Sequence, residues 1–200
     1  MRHGRISALS IIGIVAIVLG IATCSTYNKL VSADQTVQAQ WAQVENVYQR
    51  RADLIPNLVA TVKGAAEFEK STLTAVTDAR SRVGQAAPRG DVTSQPAKFA
   101  EYQQAQDQLG GALGRLLVVA EAYPTLTATQ GFRDLQAQLE GTENRIAVER
   151  MRYNDAARAF NTTRSRFPTS LVASLFGGRF AAKTYFTAQA GAESVPQVRF

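Results

Sequence analysis

The sequence is poor in the residues that most chemistry needs. Its 200 residues include one histidine, His3, one cysteine, Cys24, and one tryptophan, Trp41. His3 precedes the first apolar run and Cys24 closes it. These residues therefore exclude Ser-His-Asp and Cys-His nucleophilic catalysis, zinc sites built from Cys and His, and any internal disulfide. Acidic residues are outnumbered, 16 against 22 Lys and Arg, for a net charge of +6. Charged residues amount to 19% and hydrophobic ones to 46%, a balance that excludes wholesale disorder. What remains is enough chain for one domain with its own core, plus appendages.

The first appendage is apolar. Residues 1–5 carry Arg2 and Arg5, and residues 6–23 carry no formal charge. At helical rise that run spans roughly 27 Å, enough for a hydrocarbon core, so it reads as a transmembrane anchor. Two other readings stay open. A cleaved secretory signal has the same basic and apolar regions. Ile21-Ala22-Thr23-Cys24 also approximates a lipobox, which would make Cys24 a lipidation site, although Thr23 fits that motif poorly. Arg2 and Arg5 precede the run, while Lys29 stands almost alone after it, offset by Asp34. The positive-inside rule then predicts a single-pass protein with its N-terminus in the cytoplasm and its bulk outside.

From Tyr27 onward, seam residues recur in alternating steps of three and four, as in Leu30, Val37, Trp41, Val44 and Tyr48. Three further strings repeat the pattern, from Ile55 to Val83, Phe99 to Tyr123 and Phe132 to Phe160. This is the seam of coiled-coil-like helix packing and has no counterpart in strands. The fold expected is all-α: an antiparallel four-helix bundle over residues 27–167, behind the N-terminal transmembrane helix. Its helices are expected at about 28–52, 54–86, 95–123 and 128–166. Asp53 and Pro56 suggest a helix start, Gly84–Thr93 a plain loop, Pro96 another start, and Pro124 a stop with Thr127 or Thr129 as the next cap. A single kinked helix over 28–86 would leave half its seam uncovered and is set aside. Residues 168–200 read as a short helix and an irregular tail.

Several stretches resemble the LemA family. They include Tyr27-Asn28-Lys29-Leu30-Val31 and Trp41-Ala42-Gln43-Val44-Glu45-Asn46, then Tyr48-Gln49-Arg50-Arg51-Ala52-Asp53-Leu54-Ile55-Pro56-Asn57-Leu58-Val59. Further on come Glu121-Ala122-Tyr123-Pro124, Thr142-Glu143-Asn144-Arg145-Ile146, Arg152-Tyr153-Asn154 and a closing Val195-Pro196-Gln197-Val198-Arg199-Phe200. The resemblance implies an N-terminal anchor, a helical domain and no established activity. One departure stands out: where the family usually shows a His-Glu pair after Gly64-Ala65-Ala66, this chain has Phe68-Glu69.

The seams hold the polar residues Asp34, Arg51, Glu69, Gln106 and Glu149. No Glu-x-x-His pair exists to build a di-metal site, and a carboxylate-only site from Asp34, Glu69 and Glu149 is the weaker reading. Cross-bundle ion pairs that set register are the stronger one. If the second and fourth helices both descend, Arg80 and Glu149 fall at matching heights and should pair. Gly110-Gly111 and Gly114, costly inside a helix, suggest close approach of a neighbouring backbone. Seven arginines against three acids lie between Gly141 and Ala182. With the fourth helix descending toward the bilayer, Arg158, Arg164, Arg166, Leu171, Leu175 and Phe176 become candidate lipid contacts.

These features predict a membrane-anchored, non-enzymatic protein that binds other envelope proteins, with no cofactor, metal or nucleic acid. The candidate partner surface is the distal tip, around Gln49, Arg50, Arg51, Asp53, Asn57, Glu121 and Tyr123. The alternatives are a membrane-shaping homo-oligomer that associates through exposed heptad faces and a hydrolase using the seam carboxylates.

Overall fold

The computed structural model describes residues 8–64 and 69–187. His3, Phe68 and the closing Val195–Phe200 stretch lie outside them, as do Arg2 and Arg5. Six helices follow one another: α1 Ala8–Lys63, α2 Lys70–Ala86, α3 Pro96–Ala120, α4 Pro124–Thr127, α5 Gln130–Ser165 and α6 Thr169–Leu175. A 3-10 turn, Gly177–Phe180, then leads into an extended segment. The all-helical expectation holds: no strand occurs among the described residues.

The main departure is α1. The expected boundary between residues 52 and 54 is absent, and the helix runs on through Pro56 to Lys63, 56 residues in all. At about 1.5 Å per residue it is a rod of roughly 84 Å. An interior proline forfeits one hydrogen bond and crowds the carbonyl four residues back, at about 3 kcal/mol. Continuing the helix buries Ile55, Leu58 and Val62 almost completely, each worth about 1.5–3 kcal/mol. Burial wins, and Pro56 itself sits on the exposed side of the rod, where water can serve the freed carbonyl. The uncovered length that argued against so long a helix is real but lies elsewhere. Residues 10–25 are exposed on every side, and a window of this segment has mean hydropathy 2.0. It is long and apolar enough to cross a membrane.

The first helix thus ends at Lys63 in place of the end expected near Asp53, and α2, which begins only at Lys70, is correspondingly short. Pro96 opens α3 as expected, and Thr129 caps α5 by accepting a hydrogen bond from the Phe132 amide at 3.4 Å. The loop between α2 and α3 is less plain than its composition suggests. Asp91 accepts from the Thr93 amide at 2.8 Å, Gly90 takes a positive φ of 90°, and Val92 and Thr93 are buried.

Two apolar layers stack along the rod. The distal one draws on α1 (Ile55, Leu58, Val62), α2 (Leu73, Val76, Ala79), α3 (Leu109, Leu113, Leu116) and α5 (Phe132, Leu139). The proximal one is aromatic: Trp41 packs against Phe99, Tyr102, Tyr153 and Phe186 with ring centroids 5.5–6.2 Å apart. Along α1, Trp41 meets Tyr153, Tyr48 meets Arg150 and Arg51 meets Glu143, so α5 runs antiparallel to α1.

Because Pro56 lies inside a helix, Pro56→Ala is expected to stabilise the full chain by about 1–3 kcal/mol in denaturant unfolding in detergent. A first-turn proline would show no such gain.

Candidate functional site

Between the two apolar layers lies a polar midsection built around Arg51. Its side chain is 2% exposed. One guanidinium nitrogen donates to both Glu143 oxygens at 3.0 and 3.2 Å. The other donates to the Gln106 carbonyl at 3.0 Å and to the Gln106 side-chain oxygen. Arg51 Nε is buried without a partner. One turn toward the aromatic layer, Arg150 donates to the Tyr48 hydroxyl at 2.7 Å and to Asp107 at 2.8 Å. Burial pushes the Tyr48 hydroxyl up to about 12, although Arg150 and Arg51 pull the other way. Three helices, α1, α3 and α5, are thereby pinned in one register.

A second polar device holds the extended segment after Phe180. Asn161 donates to the Lys183 carbonyl and accepts from the Lys183 amide, at 2.9 and 2.8 Å. Asn154 does the same for Phe186, at 3.0 and 2.9 Å. Tyr153 donates to the Thr184 carbonyl, the Thr184 amide donates to Thr93, and Gln103 reaches the Thr187 carbonyl at 2.9 Å. Side chains therefore replace the neighbouring strand that an extended backbone normally requires. Lys183, itself buried, places Nζ 2.7 Å from Asp34 and 3.4 Å from Asp91, and donates to the Thr93 hydroxyl at 3.1 Å. Burial pushes the Asp91 carboxyl up. Hydrogen bonds from Thr93 and Gln38, together with the Lys183 charge, outweigh it and hold the group at about 2. Composition had marked this stretch only as an irregular tail.

The expected distal cluster is dispersed. With the rod extended to Lys63, Gln49, Arg50, Arg51, Asp53 and Asn57 are strung along its upper third, about 9 to 21 Å below its end. Arg51 is core; Gln49 donates to Asp53 at 2.8 Å along an exposed face that also carries Arg50 and Asn57. Only Glu121, exposed, and Tyr123, packed on the distal layer, occupy the tip. The Arg80–Glu149 pair is absent for the same reason. Arg80 is ten residues into α2, Glu149 nineteen beyond the start of α5, so their heights differ by about 13 Å. Glu149 accepts instead from Arg152 at 2.8 Å, and Arg80 is exposed.

Asp34, Glu69 and Glu149 do not converge either: Glu69 accepts from Ser71 and Thr72 at the start of α2, while Asp34 serves Lys183. Gly111 and Gly114 meet no neighbouring atom; they floor a groove of about 610 Å³ between α3 and α5. Only Gly110 is approached, by Arg51, whose Nη1 would lie 3.4 Å from an added Cβ. Each carboxylate lining this groove is engaged: Asp107 by Arg150, Glu143 by Arg51, and Glu140 by Gln136 at 3.0 Å.

At the opposite end, α6 and the 3-10 turn fold back onto the first covered turn of α1. The Phe176 and Phe180 rings lie 4.8 and 5.5 Å from Tyr27, and the Arg179 guanidinium 5.6 Å from it. Arg164 donates to the Phe180 carbonyl. Arg166, Leu171 and Leu175 are exposed at this end, whereas Arg158 lies higher on α5 beside Asp155 at 3.5 Å. Cys24 is exposed on α1 below this junction.

Two outcomes follow. Glu143→Ala strands a buried guanidinium and is expected to cost about 3 kcal/mol. Arg51→Met leaves a half-exposed carboxylate that can rehydrate, so it should cost less, and the double variant should resemble Arg51→Met; denaturant unfolding measures all three. Asp91 is depressed from 3.8 to about 2, so it favours the folded state above its unfolded value and that contribution is lost as pH falls through this window. Thermal melts between pH 5 and 2 should therefore show a decline that is shallower in Asp91→Asn.

The model of the LemA family matches residues 40–200, a span that holds the Arg51 midsection, the distal layer and most of the proximal layer and the clamp. Magnetosome proteins MamQ 1 and MamQ 2 of Paramagnetospirillum magneticum are each 30% identical over 203 residues, covering 93% of this chain and 74% of theirs. MamQ of Magnetospirillum gryphiswaldense is 27% identical, covering 88% of this chain and 71% of its own. A shared pattern over so much of each chain has one reading: the chain belongs to the LemA family.

Proposed function

We propose that this protein is a non-enzymatic scaffold of the cell envelope, fixed in the bilayer by residues 10–25 and presenting an antiparallel four-helix bundle to partner proteins. The observation that carries this reading is the continuity of α1 from Ala8 to Lys63. The apolar segment passes into the packed body without a hinge, so the body is held at a set height and angle above the membrane, not tethered loosely. From Thr26 to Lys63 the rod rises about 55 Å, a length suited to side-by-side recognition along exposed helix faces. The engagement of every carboxylate in the α3–α5 groove supports a binding role over acid–base chemistry. The excess of Arg2 and Arg5 before the span supports a cytoplasmic N-terminus and an extracytoplasmic body.

The test uses the full chain in its own cells. Intact mass should retain residues 1–24, and the protein should stay with membranes after an alkaline carbonate wash. Photocrosslinkers at Val118 and Arg50, both exposed, should each give discrete products with envelope proteins. Loss of the leader would remove the anchored reading, and crosslinks to the chain itself alone would favour the oligomeric alternative.

A further inference from the structure

We propose that the stretch from Phe167 to Phe180 is a foot that beds into the lipid surface of the leaflet from which α1 emerges; this rests on the reading that residues 10–25 cross the bilayer. Three independent features converge on it.

The first is height. Residues 10–25 of α1 are exposed on all sides, and cover begins at Thr26 and Tyr27. The ring that covers Tyr27 belongs to Phe176, 4.8 Å away. Tyr27 follows the apolar stretch that closes at Thr23 by four residues, about 6 Å of rise, and the next charge is Lys29, which places α6 at the level of the lipid headgroups.

The second is the unclaimed face of α6. Thr169, Val172 and Ala173 are buried against the body. On the other side Leu171 and Leu175, spaced by four, are 61% and 76% exposed, and Phe167, in the turn that precedes α6, is 80% exposed. A short helix that is apolar on both faces has one face too many for water. The protein covers one, and the hydrocarbon boundary lying directly beneath it suits the other.

The third is charge. No acidic residue occurs from Ala156 to Ala182, while Arg166 and Arg179 are exposed beside the apolar face and Lys29 lies exposed on α1 just above Tyr27. Arg179 rests over the Tyr27 and Phe180 rings at 5.6 and 5.7 Å, its head free to reach phosphate. Basic side chains around an apolar patch, with aromatics between, form the composition of an interfacial contact with anionic lipid.

The experiment places single labels on the full chain. In a Cys24→Ser background, Leu175→Cys, Met151→Cys and Val15→Cys each carry an environment-sensitive fluorophore. The proteins are reconstituted in phosphatidylcholine vesicles containing phosphatidylglycerol, with or without lipids bearing a nitroxide high on the acyl chain. Trp41 emission checks that each variant keeps the aromatic layer. The Val15 label should be quenched, the Leu175 label should lose about half its emission, and the Met151 label, high on α5, should be unaffected. Quenching at Val15 with none at Leu175 would overturn the foot while leaving the anchor in place. No quenching at either would overturn both readings. A Leu175 label indifferent to nitroxide lipid but self-quenched at high protein density would assign the face to a second copy of the chain and overturn the lipid assignment.

Discussion

The burial of one guanidinium sets the terms for the rest of the molecule. Arg51 interrupts the α1 seam between two apolar layers, with aromatic packing below it and aliphatic packing above. A buried cation is tolerable only with its charge paired, and its two terminal nitrogens find their acceptors on Gln106 of α3 and Glu143 of α5. Sliding either helix by one turn would move its acceptor about 5 Å away and leave the charge stranded. Apolar layers alone permit several registers at similar cost, since leucine and valine pack acceptably against many neighbours. The midsection selects one of them, and Arg150, joining Tyr48 and Asp107, repeats the choice a turn lower.

This constraint also explains why α1 continues past its proline. With Arg51 locked to α3 and α5, the next turn of α1 is already directed along their seam, and Ile55, Leu58 and Val62 fall into it. A break at Asp53 would have forfeited that alignment. The stiffness of the rod is therefore a product of tertiary packing acting on a segment whose local chemistry favours an end.

The seams were readable in the residues because a heptad pattern depends on burial, and burial is what the fold optimises. Leu30, Val37, Trp41, Phe99, Leu109, Leu113, Phe132, Ile146 and Phe160, all in the predicted strings, are all buried. Local stop signals misled where packing overrode them: Asp53 and Pro56 have the right chemistry for a helix start, and their context cancels it. Every height estimate inherited that displaced turn, which dispersed the expected tip cluster and separated Arg80 from Glu149. The clamped segment left a fainter trace. Asn154 and Asn161 stand one heptad apart on α5, a spacing that puts both amides on one face, yet asparagines on a helix surface ordinarily signify solvent. Their partners are mostly main-chain atoms, of Lys183 and Phe186, which carry no side-chain signature.

The clamped segment also sets an order of events during synthesis. The distal layer needs nothing beyond α5, whereas the aromatic layer is incomplete until Phe186 arrives to stack on Trp41. That residue follows Trp41 by 145 positions, so it leaves the ribosome long after the tryptophan has emerged. Chains grow from the N-terminus and domains consolidate as they appear, so the lower half of this body stays open, its tryptophan and tyrosines unroofed, until Phe186 has been made. The clamped segment acts as a keystone, and a chain cut a dozen residues before Phe186 would carry an aromatic hollow at the base of its body.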